Sequence, residues 1–227
     1  VSKFGGELEN LKIKLLEMSS LVEAAIRRSI EAVIQKDRAT AQQVLEAEGR
    51  INSIELEIDA LAIDLLALHQ PMASNLRFII AALKINTNLE RMGDLAVTIA
   101  HSAMSLIDEP SREPVVDIPL IASLVQSMVR KSMDAFVSHD VNLARGVLVS
   151  DDAVDSLRTA CYHQLVSFME KDPHNIRRAV NLLSVTRALE RVADHSTNIA
   201  EDVLFYVEGI EVRHHSESGG PTSRTIE

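Results

Sequence analysis

A six-residue phrase occurs twice in this chain, one hundred residues apart: LERMGD (Leu89 to Asp94) and LERVAD (Leu189 to Asp194). When residues 76–100 are set on 176–200 without a gap, eight of twenty-five positions are identical, among them Arg77 with Arg177, Leu83 with Leu183 and Ile99 with Ile199. Self-similarity at a long fixed period is the mark of a duplicated unit, so any fold for this chain has to be built twice. The length of 227 residues exceeds an ordinary domain of ~100–200 residues, which accords with two smaller units.

The unit reads as three helices. Aromatic residues make up only 3% of the chain and Trp is absent, while 46% is apolar, so a core must come from Leu, Ile, Val, Ala and Met, a palette that favours helices over strands. From Leu8, the positions Leu11, Leu15, Met18, Val22, Ala25 and Val33 recur every three or four residues and share one helical face. This first helix is expected to end near Lys36. Asp37 can cap a second, whose stripe runs through Val44, Ile51, Ile54, Ile58, Leu61 and Leu65 to about His69, where Pro71 interrupts it. A third runs from about Ser74 to Ile107 with Leu76, Ile80, Leu83, Leu89 and Ile99 inward. Pro110 and Pro114 make an extended linker. The plan then repeats: Pro119 suits a first helical position, a fourth helix reaches about Ser138, Asp140 caps a fifth that stops near Lys171, and Asp172 with Pro173 opens a sixth that Gly209 ends. The expectation is an all-α protein of two tandem, sequence-repeated three-helix bundles, residues 1–110 and 115–210. Residues 211–227 lack apolar periodicity and read as a disordered tail.

Several function classes are disfavoured. A formal net charge of -10 argues against nucleic acid as a partner, because a phosphate backbone is met by clustered Lys and Arg. The single cysteine, Cys161, has no internal disulfide partner and reads as a small core residue in a reducing compartment. The longest apolar run, Phe78 to Leu83, falls far short of the ~20 residues that span a bilayer, so no transmembrane segment is expected and a cytoplasmic location is. For covalent catalysis there is no Gly-x-Ser-x-Gly elbow, no phosphate-cradling glycine loop before a lysine and no cysteine with an evident base. A non-enzyme is the expectation.

The repeated phrase carries the chemistry that remains. Glu90 and Asp94 are four residues apart, as are Glu190 and Asp194, so each pair shares a helical face, and like charges at that spacing call for compensation. If the second and third helices are antiparallel about residue 71, Asn52 and Glu90 each lie nineteen residues from the turn, and Glu48 stands opposite Asp94, because both axes advance ~1.5 Å per residue. About a turn near residue 172, Asp155 faces Glu190 and Asp151 faces Asp194. Each bundle is thus expected to gather four oxygen-bearing side chains: Glu48, Asn52, Glu90 and Asp94, then Asp151, Asp155, Glu190 and Asp194. An all-oxygen set suits hard cations such as Mg²⁺, Ca²⁺ or Mn²⁺ and carboxylate-bridged iron, with Zn²⁺ also compatible. The ordinary alternative is that such acids are merely solvated. The second set is the stronger one, since Asn52 is neutral. The Glu-x-x-His spacing of ferritin-like di-iron sites occurs only at Glu211 and His214, which disfavours a buried oxidase. His195, Arg77 and Arg177 read as hydrogen-bonded or carboxylate-paired residues rather than ligands.

These residues resemble the PhoU family. The likeness lies in ELENLKIKLLEMSSLVEAAI, PMASNLRFIIAALKINTNLERMGDLAVTIA and ALERVADHSTNIAEDVLFYVEG, with the repeated Glu/Asp-x-x-x-Asp motif at the same two places, and it extends over about residues 4 to 210. It implies two three-helix bundles and a cytoplasmic regulator of phosphate uptake that restrains the phosphate-starvation response. The implied partners are the ATPase subunit of a phosphate ABC transporter, a sensor histidine kinase and a second copy in a homodimer. Divalent or trivalent metal ions, iron clusters among them, are implied at the eight positions named above. Asn52 departs from a fully acidic pattern. The rival readings are a metal-dependent helical-bundle enzyme such as a phosphoesterase, and a metal-free helical scaffold.

Overall fold

The structure is a computed structural model that describes residues 3–109 and 115–209. These form α1 (Lys3–Gln35), α2 (Arg38–His69), α3 (Ala73–Ile107), α4 (Ile118–Ser138), α5 (Val141–Lys171) and α6 (Ile176–Glu208), the last preceded by a 3-10 turn at Pro173–Asn175. Among the described residues there is no strand.

The helix ends follow local chemistry. Asp37 accepts a hydrogen bond from the Ala39 amide and Asp140 from those of Asn142 and Leu143, each cap contributing about 1 kcal/mol. Asp117 supplies a cap that the sequence reading passed over: it accepts from the Leu120 amide, so α4 begins at Ile118 and Pro119 falls within its first turn. Gln70 (φ 44°) and Gly209 (φ 71°) turn the chain left-handed after α2 and α6. Asp172 caps the 3-10 turn rather than α6 itself, which starts at Ile176. The expected linker between Pro110 and Pro114 and the expected tail at 211–227 lie outside the described residues.

Packing follows the stripes. Leu11, Leu15, Met18 and Val22 of α1, Ile54 and Ile58 of α2, and Leu89 and Ile99 of α3 are fully buried. Each large aliphatic so buried stabilises the fold by roughly 2 kcal/mol. Leu76 departs from its expected inward place and is 40% exposed. The reason is positional: α3 packs against α1, α2 and α6, so its first turns bury Phe78 and Ile79 instead, about 100° per residue around the axis. The buried residues of both halves form one continuous apolar cluster.

Polar pairs fix the register. Lys14 meets Glu57 at 2.7 Å and Arg50 meets Glu17 at 2.6 Å, which sets α1 antiparallel to α2. Gly93 lets α3 approach α2, since a Cβ there would stand 3.3 Å from Ile51 Cγ2. Across the α3–α6 contact, Lys84 pairs with Asp202 at 3.5 Å and Ser102 Oγ meets Ser184 Oγ at 3.2 Å. A shift of one hundred residues turns the first pair into the second, so the two halves are related by an approximate two-fold axis. Residue 93 then lies opposite 193 at the middle of the antiparallel α3–α6 pair, which places both repeated phrases at the waist of the molecule.

Candidate functional site

The second carboxylate set is assembled across α5 and α6. Asp151 is half-buried, and its carboxyl is pushed up from 3.8 to about 6 by burial first and then by the negative charges of Asp155, Asp194, Asp152 and Glu190. Glu190 is raised by burial and by Asp194 and Asp155, with Arg158 and Arg187 opposing. Asp194 is raised by burial and by Asp155, against Arg191 and Arg158. The charges of Asp155, Glu190 and Asp194 thus all bear on Asp151, each opposing its ionisation.

The first set is looser. Burial raises Glu90, followed by the Asp94 charge, an opposing Arg91, the Glu55 charge and a carboxyl hydrogen bond with Asp94. Arg91 lies 3.4 Å from Glu90 and 3.7 Å from Asp94. Asn52 is exposed, as is its counterpart Asp155, and Glu48 is half-buried. The α2 acid acting on Glu90 is Glu55, which the sequence reading did not single out. The signal was present. Asp37 and Asp140 cap α2 and α5, and the 103-residue shift between them sets Glu48 on Asp151, Asn52 on Asp155 and Glu55 on Arg158. Half one thus adds an acid where half two adds a base: Arg158 Nε lies 3.8 Å from Glu190 Oε1.

The donor chemistry of the second set fits a hard multivalent cation, since four mutually repelling carboxylates from two helices carry excess negative charge that such an ion relieves. Among the described residues no three His, Cys, Asp or Glu side chains are gathered into a ready coordination group. The arrangement is a field of carboxylates within reach of one another rather than a preformed cage.

The remaining polar candidates have structural tasks. The His195 ring faces α3, with Nδ1 2.9 Å from Asn88 Oδ1, and burial together with Arg191 and Arg91 lowers its pKa. Arg177 pairs with Glu109 at 3.1 Å, and Arg77 Nε donates to the Tyr206 carbonyl at 3.3 Å. Cys161 is buried, and that burial raises its thiol pKa. Among the described residues no helix is long and apolar enough to cross a membrane.

Comparison with known proteins agrees with this architecture. The family model for the PhoU domain matches twice, over residues 15–103 and 118–203. The phosphate-specific transport system accessory protein PhoU homolog of Pseudomonas aeruginosa is 40% identical over 213 residues, covering 93% of this chain and 88% of the relative. Its namesake in Aquifex aeolicus is 38% identical over 208 residues, covering 92% and 94%. The crystal structure of PhoU from Pseudomonas aeruginosa superposes with a TM-score of 0.89 at 39% identity, covering 92% of this chain and 100% of that one. The phosphate transport system regulatory protein PhoU from Streptococcus pneumoniae superposes with a TM-score of 0.85 at 27% identity, covering 92% and 99%.

Proposed function

This chain belongs to the PhoU family, and from that premise we propose that it is an accessory protein of phosphate transport: a metal-binding, non-enzymatic regulator of phosphate uptake and of the phosphate-starvation response. It acts as an adaptor between the ATPase subunit of a phosphate ABC transporter and a sensor histidine kinase, and it restrains the response while phosphate is abundant. It works in the cytoplasm, at the inner face of the membrane through those partners, as a homodimer.

The observation that carries the metal part of this reading is the cross-helix carboxylate set, in which Asp155, Asp194 and Glu190 all act on Asp151. Asp151, Asp155, Glu190 and Asp194 would hold the ion at the second site; Glu48, Asn52, Glu90 and Asp94, with Glu55 beside them, would hold one at the first. When bound, a multivalent cation supplies positive charge at the waist of the molecule. The side chains then do the rest: they tie α5 to α6, and the neutralised face becomes able to accept anionic partner groups. The second site is expected to bind more tightly, because Asp155 is an acid where the first has neutral Asn52, and Arg91 already lies 3.4 Å from Glu90 and 3.7 Å from Asp94.

Two experiments test the reading. Deleting the gene and following a phosphate-starvation reporter in phosphate-rich medium should release expression; persistent repression would count against the regulatory role. Replacing Asp151, Asp155, Glu190 and Asp194 together by Ala should abolish the second ion in elemental analysis of untagged protein purified without chelators, and unchanged stoichiometry would reject the assignment. Turnover of phosphoesters with Mn²⁺ or Fe²⁺ would instead favour the enzyme reading.

A further inference from the structure

The two halves part company one turn beyond the carboxylates. The shifts that set α2 on α5 and α3 on α6 place Arg158 at the position of Glu55, Tyr162 at that of Asp59, Thr186 at that of Asn86 and Arg187 at that of Thr87. In the first half this place is closed. Buried Asn86 reaches from α3 to α2, its Nδ2 donating to the Glu55 carbonyl at 3.0 Å and to Asp59 Oδ1 at 2.9 Å. In the second half Thr186 Oγ1 turns back to the Leu183 carbonyl of its own helix at 3.2 Å. A groove of about 610 Å³ lies along the α5–α6 surface there, lined by Arg158, Tyr162 and Arg187, with Val180 and Leu183 as an apolar wall. That volume lies within the ~300–1,000 Å³ of small-molecule sites.

The lining is unusual for this chain. It has a net charge of -10 and two tyrosines, yet two guanidinium groups and one of those tyrosines meet here. Tyr206, the other, is engaged with Phe78, Phe136 and His139, whereas Tyr162, whose ring meets that of its chain neighbour His163 at 5.5 Å, is 48% exposed and Val180 54% exposed. Arg158 is held loosely, at 3.8 Å from Glu190, and Arg187 forms no ion pair among the described residues. Offsetting the nearby carboxylates accounts for the arginines. It does not account for an open groove with a ring and an aliphatic wall.

We propose that the α5–α6 groove binds a small phosphorylated molecule bearing a planar ring, of the nucleoside monophosphate class. The phosphate takes the paired forks of Arg158 and Arg187, as guanidinium groups favour. The ring lies against Tyr162, with its edge on Val180 and Leu183. The site adjoins the second carboxylate set, since Arg158 lies 3.8 Å from Glu190 Oε1, but the carboxylates themselves do not hold the ligand, and chelator treatment keeps the two readings separable.

Calorimetric titration of chelator-treated full-length protein with AMP, inorganic phosphate and adenosine tests this. AMP should saturate a single site, with phosphate and adenosine each weaker by about tenfold or more, the loss expected when one half of a two-part contact is removed. Arg187→Ala and Tyr162→Leu, both at exposed positions, should each weaken AMP by about tenfold with unchanged helical circular dichroism, while Arg27→Ala in the separate α1–α4 cavity should leave it as it was. AMP binding no better than inorganic phosphate, or AMP affinity unchanged in both groove variants, overturns the proposal.

Discussion

Replacing Asp151 by Asn should make the metal-free protein more stable. Asp151 ionises at about 6 rather than 3.8 because burial and four neighbouring acids oppose its charge. At about 1.36 kcal/mol per pH unit the full gap corresponds to ~3 kcal/mol, and since the side chain is only half-buried, solvent screening reduces this to about 1.5 kcal/mol. A carboxyl whose native pKa exceeds its unfolded value burdens the folded state only when ionised. The burden is therefore absent below about pH 4, grows as pH rises through the interval and is complete above about pH 6. For a chain of this size the variant should melt about 3–5 °C higher at pH 7.5 in the presence of chelator, with no difference at pH 4. Saturating Mn²⁺ should erase the advantage, because a tenfold weaker ion forfeits about 1.4 kcal/mol of linked stabilisation. Differential scanning calorimetry at the two pH values, with and without metal, gives all four numbers. A gain of equal size at both pH values, or a loss at pH 7.5 without metal, refutes the reasoning.

Three further outcomes are expected. Ile58→Ala, at a fully buried α2 position, should cost about 3 kcal/mol through lost burial and the cavity left behind, read as a shifted urea midpoint with unchanged slope. Asp140→Ala removes the cap that holds the Asn142 and Leu143 amides and should cost about 1 kcal/mol in the same assay. Lys84→Met withdraws the cation 3.5 Å from Asp202, which is 1% exposed. It should cost about 2 kcal/mol, whereas the same change at exposed Lys131 should cost little.

Much of the site was legible because its logic is one-dimensional. Residues on antiparallel helices that are equally far from their turn stand level, since the rise per residue is constant. Asp151, Asp155, Glu190 and Asp194 are matched by counting from Asp172, and the charges of the other three bear on Asp151. Counting gives height and not facing. It does not pick out Glu55, the α2 acid whose charge acts on Glu90.

By itself the sequence determined the six helices, their caps at Asp37 and Asp140, the duplication and the level of each acid along its axis. All of these rest on interactions within a few residues, or on a spacing that every α-helix shares. Tertiary structure decided which side of each helix is covered. It exposed Leu76, turned His195 toward Asn88, joined the two halves through a single core and left a groove beside Arg158 where the first half is closed by Asn86. The physical reason is that burial belongs to a pair of surfaces. Periodicity describes one of them, and the other is supplied by a segment distant in the chain, at an angle that no local pattern encodes.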